Sequence, residues 1–318
     1  MRYRICVSIS EIDEAFKKMI DELKRIADVD VVGLDGFSLK DYDIFIGKKL
    51  TMDCLATANR LKIIFAYKTG VDDFPLAEIK RRNILVVNSH ANSKVIAQYS
   101  FGLAVSMANR ITEFDRKFRE GIWYDKDLPY WETIYDMKIG LLGFGHIGRE
   151  IHQLLCANGI ETYTLNRGKK YPDSIHTVTT LEELCDKTNM LIISLPKTSD
   201  TDVLIDRSIL QHMAGKYIVN VGRSNCIDQQ ALYDALKSGE SLAGAAIDTW
   251  DKKPFNNDGK FYPTTIPFIH LDNVVLSPHQ AMKVKRGHEL YVTDITRKVI
   301  AYIQEGSLSD VIDLTKGY

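Results

Sequence analysis

The stretch Lys138-Ile-Gly-Leu-Leu-Gly143-Phe-Gly145-His-Ile-Gly148-Arg-Glu150 decides the reading of this chain. Three glycines sit between an apolar strand-like run, Ile139, Leu141 and Leu142, and a run with helical spacing, Ile147, Ile151, Leu154 and Leu155. Gly143 permits a tight turn, Gly145 lets the backbone approach a pyrophosphate, and Gly148 lets the helix lie close on its strand. The helix N-terminus, with His146 and Ile147 in its first turn, then faces the anion. A glycine turn without a ligand is the plain alternative, and the strand-to-helix switch around it argues against that.

A chain of 318 residues exceeds what one ordinary core organises, so two domains are expected. With 41 basic and 42 acidic residues, no global charge recruits nucleic acid or an anionic membrane. No apolar run is long enough to span a bilayer, and Glu11, Asp13 and Glu14 fall where a secretory signal would continue. A cytoplasmic protein is expected. Cys6, Cys54, Cys156, Cys185 and Cys226 are scattered, odd in number and never Cys-x-x-Cys, so they read as buried thiols rather than as a disulfide frame or a metal site.

The glycine turn lies near mid-chain, so something complete precedes it. Strand patterns over 3–9, 42–46, 61–66 and 84–87, with an amphipathic helix over 11–27, describe a small flavodoxin-like α/β domain. One long helix is expected over 93–119, followed by a loop whose aromatics, Trp123, Tyr124, Tyr130 and Trp131, suit an interface and with it a homodimer. After the turn, strands at 161–165, 190–194, 217–221, 242–247 and 274–277 alternate with helices, the pattern of a doubly wound parallel sheet, a Rossmann domain. The last helix, over 283–303, returns to the first domain. The division is therefore 1–97 with 284–318 for a substrate domain and 98–283 for the dinucleotide-binding domain, with the reaction site expected in the crevice between them.

Residues just past strand ends form the chemical shortlist. Arg223 follows Tyr-Ile-Val-Asn-Val-Gly, Asp248 follows Ala-Gly-Ala-Ala-Ile, and His279 follows Val-Val-Leu-Ser-Pro. A planar guanidinium clamps a carboxylate, and an imidazole exchanges a proton near neutral pH. Singly, each has a plain reading: a surface ion pair, a cap and a rigid loop. Their common position beside a dinucleotide turn raises the set above these.

These residues resemble the D-isomer-specific 2-hydroxyacid dehydrogenases. The resemblance rests on Gly143-x-Gly-x-x-Gly148, Leu195-Pro196-Lys-Thr-x-x-Thr201, Asn220-Val-Gly-Arg223, Ala246-Ile-Asp248-Thr-Trp250 and Asn273-Val-Val-Leu-Ser-Pro-His279. It implies that Arg223 holds the substrate carboxylate and carbonyl, that His279 is the proton donor in reduction, and that Asp248 bonds the nicotinamide amide. It also implies that Pro196 and Thr201 lie in the cofactor site and that the loop of Lys68, Thr69 and Gly70 binds the substrate carboxylate through backbone N–H groups. The expected activity is reduction of a small 2-oxo acid to the D-hydroxy acid. Formate or phosphite oxidation, or a non-catalytic dinucleotide sensor of the corepressor kind, are the alternatives.

Two departures matter. The family's Glu-Pro is here Lys253-Pro254, after Asp248-Thr-Trp-Asp-Lys. A lysine against His279 disfavours the imidazolium and a carboxylate favours it, so either Lys253 or, with a shifted register, Asp251 faces the histidine. At the adenosine end, where NAD enzymes place an acid, the chain has Asn166-Arg167-Gly-Lys-Lys170. Loss of the carboxylate and gain of Arg167 favour NADP over NAD, the alternative being NAD bound through Asn166.

Overall fold

The computed structural model describes residues 2–123, 126, 128–239, 241–251, 255–257 and 259–316. The chain divides into two compact units, 1–92 with 284–318, and 93–283. In chain order the first unit opens with β1 (Arg4–Ser8), α1 (Glu14–Lys24), β2 (Asp28–Val32), β3 (Ile44–Ile46), α2 (Met52–Ala56), β4 (Ile63–Phe65), α3 (Leu76–Arg81) and β5 (Leu85–Val87). The strands are all parallel, in the order β2-β1-β3-β4-β5, which is the flavodoxin-like arrangement. Asp13 starts α1 by accepting the Phe16 N–H, and Phe16, Met19, Ile20 and Leu23 recur at helical spacing as its buried face.

The second unit runs through α4 (Ser93–Ala108), α5 (Ile111–Arg119), β6 (Ile139–Leu142), α6 (His146–Ala157), β7 (Thr162–Leu165), β8 (His176–Val178), α7 (Leu181–Lys187), β9 (Met190–Ile193), α8 (Arg207–Gln211), β10 (Tyr217–Asn220), α9 (Gln229–Ser238) and β11 (Gly244–Ile247). It closes with a small antiparallel hairpin, β12 (Phe255–Asn257) and β13 (Lys260–Tyr262), and with β14 (Val274–Leu276). Its parallel sheet has the order β14-β11-β10-β9-β6-β7-β8, the Rossmann order with one further strand. The central strands are buried on both faces, which is why they read as nearly continuous apolar runs. Leu142, Leu191 and Ile218 enter one core, and Ile139, Leu141, Met190 and Val219 the other.

The last helix, α10 (Gly287–Glu305), belongs to the first unit. Its Tyr291, Val292, Ile295 and Val299 share a core with the buried face of α1, so it closes that sheet's surface as the sequence pattern implied.

Three expectations need correction. The single helix over 93–119 is two, because Arg110 takes a left-handed conformation (φ 53°) between α4 and α5. The core supporting α4 ends at Ala108, while no residue of α5 is buried. Cys156 is only half-buried, although Cys6, Cys54, Cys185 and Cys226 are buried and all five thiols are free. All of α4 lies in the second unit, so the division falls at 92/93 and not at 97/98. Of the four loop aromatics, Trp123, Tyr130 and Trp131 are exposed, and Tyr124 lies outside the described residues.

His152 is a buried polar residue of α6. Its Nδ1 lies 2.8 Å from the Thr162 hydroxyl and its Nε2 lies 2.9 Å from that of Ser174. Burial pushes its pKa below the ordinary 6.5. The unfolded chain therefore takes up a proton that the folded chain refuses as pH falls through about 6.5, and stability drops on that side. We expect urea unfolding of the wild type to lose stability between about pH 7 and pH 5, at no more than about 1.4 kcal/mol per pH unit from this group. His152→Asn should flatten that limb, and parallel profiles for the two proteins would refute the assignment.

Candidate functional site

The candidate residues of the second unit stand at the carboxyl ends of its parallel strands. Gly143 follows β6, Asn166 and Arg167 follow β7, Pro196 lies beyond β9, Arg223 beyond β10, Asp248 directly after β11, and His279 beyond β14. In a doubly wound sheet that edge is where ligands bind.

Close backbone approach shapes the glycine turn. Gly143 has φ 108°, and a Cβ there would press on Ser194, whose hydroxyl donates to the Gly143 carbonyl at 3.1 Å. A Cβ on Gly148 would lie 2.0 Å from the Gly143 carbonyl oxygen, so no larger residue fits where α6 crosses the turn. Gly145 differs: a Cβ there meets nothing within 4 Å, and as the N-cap of α6 it offers no capping side chain. Bare backbone N–H groups at a helix start, beside open space, fit a pyrophosphate. The following residues His146 and Ile147 form the first turn of that helix.

Past β7, Asn166 and Arg167 are exposed, and the Asn166 side-chain oxygen accepts the Gly168 N–H at 2.9 Å. Past β9, the Thr201 hydroxyl donates to the Pro196 carbonyl at 2.7 Å and accepts the Thr198 N–H at 2.9 Å. Thr201 thus ties together the loop that carries Pro196. Past β10, Asn220 brackets the turn: its Oδ1 accepts the Gly222 N–H at 3.0 Å and its Nδ2 donates to the Arg223 carbonyl at 3.1 Å. A Cβ on Gly222 would lie 2.7 Å from Leu195 backbone atoms, so this turn packs directly on the β9 loop. Arg223, half-buried, donates to the Gly222 carbonyl through one guanidinium nitrogen at 3.1 Å.

Asp248 is 1% exposed, and protein donors occupy its carboxylate. One oxygen accepts the Ser277 hydroxyl and the Gln280 N–H at 2.8 Å, and the other accepts the Ala281 N–H at 3.1 Å. Because Ser277 donates to Asp248, the Tyr99 hydroxyl, 2.8 Å away, donates to Ser277. The Trp250 indole N–H donates to the Ser277 carbonyl at 2.8 Å. Asp248 therefore grips the whole His279 loop. His279 itself has φ 59° and holds Nδ1 3.2 Å from the Asp248 carbonyl oxygen and 3.9 Å from its carboxylate. Its partner among the described residues is Asp248 and not Asp251, which corrects one of the two expectations; Lys253 lies outside the described residues.

In the first unit the loop of Lys68, Thr69 and Gly70 is fixed by its neighbours. The Lys68 ammonium pairs with Asp73 and lies over the Phe74 ring, 4.3 Å from its centroid. The Asn88 amide donates to the Thr69 carbonyl at 2.6 Å, and the Thr69 hydroxyl meets the Ser89 carbonyl, Asn92 Oδ1 and the Tyr291 hydroxyl at 3.0–3.1 Å.

Residues 101–281, more than half of the chain, match the D-isomer specific 2-hydroxyacid dehydrogenase, NAD binding domain. The chain belongs to that family. Membership makes the second unit the nicotinamide-binding Rossmann domain of an oxidoreductase. The chain is 27% identical to D-3-phosphoglycerate dehydrogenase of Methanocaldococcus jannaschii over 97% of its own length but 60% of that protein's. It is 28% identical to glyoxylate reductase of Pyrococcus furiosus, with 83% of this chain and 80% of that one covered. Among solved structures, the PH0520 protein of Pyrococcus horikoshii OT3 is similar at 26% identity and a TM-score of 0.84, with 98% and 96% covered. No described helix is long and apolar enough to cross a membrane.

Ser277, Tyr99 and Tyr291 escaped the sequence reading. Ser277 lies within the Ser-Pro-His motif, but nothing in spacing pairs it with Asp248; Tyr99 counts in the sequence only toward the helical spacing of α4, and Tyr291 belongs to no motif. Asp248→Asn turns one acceptor edge into a donor, leaving a buried N–H or hydroxyl unpaired. We expect a loss of about 1–3 kcal/mol in chemical unfolding. An unchanged unfolding free energy would show that these bonds do not hold the loop.

Proposed function

We propose that the protein reduces a small 2-oxo acid to the D-2-hydroxy acid at the expense of a nicotinamide dinucleotide, NADPH in preference to NADH. The observation that carries this reading is the placement of Arg223, Asp248 and His279 past three successive strands, β10, β11 and β14, of the sheet that carries the glycine turn.

Arg223 binds the substrate carboxylate and polarises the carbonyl, since its fork offers two parallel donors. The backbone of Lys68, Thr69 and Gly70 supplies further donors to the carboxylate. When bound, the nicotinamide supplies the hydride. His279 delivers the proton to the forming alkoxide from Nε2, because Nδ1 faces the Asp248 carbonyl and is held there. Asp248 acts chiefly by fixing that loop. A carboxylate has about four lone-pair sites, and three protein donors leave at most one for the nicotinamide amide.

Gly143, Gly145 and Gly148, with His146 and Ile147, hold the pyrophosphate, Pro196 and Thr201 line the cofactor site, and Asn166 and Arg167 receive the adenosine ribose. The absence of an acid after β7 and the exposed Arg167 support NADP. We also propose a homodimer in the cytoplasm, supported by the exposed Trp123, Tyr130 and Trp131 of the second unit.

A panel of 2-oxo acids offered with each cofactor tests the activity: sustained NADPH oxidation supports it, and tight dinucleotide binding without turnover overturns it. Arg223→Lys should lower kcat/KM on the best substrate by roughly a hundredfold, as removal of a pre-aligned donor pair does. Near-normal efficiency would reject Arg223 as the clamp. Light scattering at micromolar concentration should give twice the chain mass, and a monomer would reject the dimer.

A further inference from the structure

The loop after β7 is exposed from Asn166 to Lys170 and has no helix or strand of its own. Such a segment loses conformational freedom whenever it closes on a ligand, unless something has already fixed it. Tyr171 does so here. Its hydroxyl donates to the Leu165 carbonyl at 2.9 Å and accepts the Arg167 backbone N–H at 3.0 Å. One oxygen thus staples the last residue of β7 to the residue two positions on. Gly168, in the left-handed region at φ 69°, and the Asn166 side chain complete the turn. Arg167 itself keeps its guanidinium unengaged among the described residues.

The ring of Tyr171 faces elsewhere. It packs against Phe144, with centroids 5.6 Å apart, and Phe144 lies between Gly143 and Gly145 of the pyrophosphate turn. Phe144 is in turn edge-on to the buried His152 of α6 at 5.6 Å. Tyr171 therefore joins the two backbone segments that would bind the two ends of an adenosine diphosphate: its ring touches the pyrophosphate turn and its hydroxyl sets the ribose loop.

We propose that Tyr171 is a positioning residue for the ribose 2′-phosphate of the cofactor, holding the Arg167 backbone so that the guanidinium is presented to that phosphate. The proposal rests on the NADP reading above. Tyr171 makes its bonds to the backbone of Leu165 and Arg167. It acts through Arg167.

Calorimetric titration of the full chain with 2′,5′-ADP and with 5′-ADP tests it without any need for turnover. The wild type should bind 2′,5′-ADP more tightly. Tyr171→Phe keeps the ring against Phe144 and removes only the staple, so the protein should remain folded. It should lose about fivefold in affinity for 2′,5′-ADP, the scale of one net hydrogen bond, and little for 5′-ADP. In combination with Arg167→Ala the loss should not add, because both changes remove the same contact. If Tyr171→Phe keeps the wild-type preference, or if the two losses add, Tyr171 does not act through Arg167 and the proposal falls while the NADP reading stands. If the wild type shows no preference for 2′,5′-ADP, the NADP reading falls and this proposal with it.

Discussion

The second unit depends on backbone passing close to backbone at the carboxyl edge of its sheet. At Gly148 the helix crosses the turn with no room for a methyl group, and at Gly222 the β10 turn lies against the β9 loop in the same way. These two contacts fix where α6 begins and where Arg223 emerges relative to Pro196. Neither contact is apolar burial in the usual sense. The large cores on the two faces of the sheet stabilise the domain, while the glycines decide how near its loops can lie to one another.

The loop of His279 is held in a different manner. A non-glycine residue in the left-handed region is costly by about 1–3 kcal/mol and persists only where its surroundings over-determine it. Here the over-determination is Asp248, whose two oxygens accept three donors from residues 277–281, with Tyr99 behind Ser277 and Trp250 on the Ser277 carbonyl. A buried carboxylate among fixed donors is favourable only while every donor is present, so the arrangement is cooperative. The backbone bend that turns His279 towards the strand edge is thus sustained by an anion that need not take part in the chemistry.

Strands buried on both faces, such as β6, β9 and β10, were legible because a short, nearly continuous apolar run has few alternatives between turn signals. Two of the four edge strands of the two parallel sheets, β2 and β8, were not. β2 is half exposed and carries Asp28 and Asp30, and β8 is three residues long, so neither shows the burial that makes a pattern. The break at Arg110 was hidden because apolar spacing continues through Phe114 and Phe118, although the core beneath has ended. Of the site, the motif residues could be read in the sequence, since each sits within a few positions of a recognisable strand end. The contacts that orient them could not: Asp248 to Ser277 spans 29 residues and Thr69 to Tyr291 spans 222, and no periodicity encodes such pairs.

The first unit solves a related problem with charge. Lys298 is buried on α10, and its ammonium reaches Asp294 at 2.7 Å, Asp310 at 2.6 Å and the Asn88 carbonyl at 2.8 Å. Burial works against the Asp294 carboxylate, but hydrogen bonds from Lys298 and Ser89 hold its pKa below the ordinary value. Replacing such a group by apolar side chains is often neutral or stabilising, so stability alone does not account for it. Its geometry does: Asn88 and Ser89, which it fixes, are the residues that hold Lys68 and Thr69 through the Thr69 and Lys68 carbonyls and the Thr69 hydroxyl. An apolar cluster at α10 would close the core equally well and would leave that loop free to choose among conformations. Directional bonds select one, and a loop proposed to bind a carboxylate through its backbone N–H groups needs that selection made before the ligand arrives.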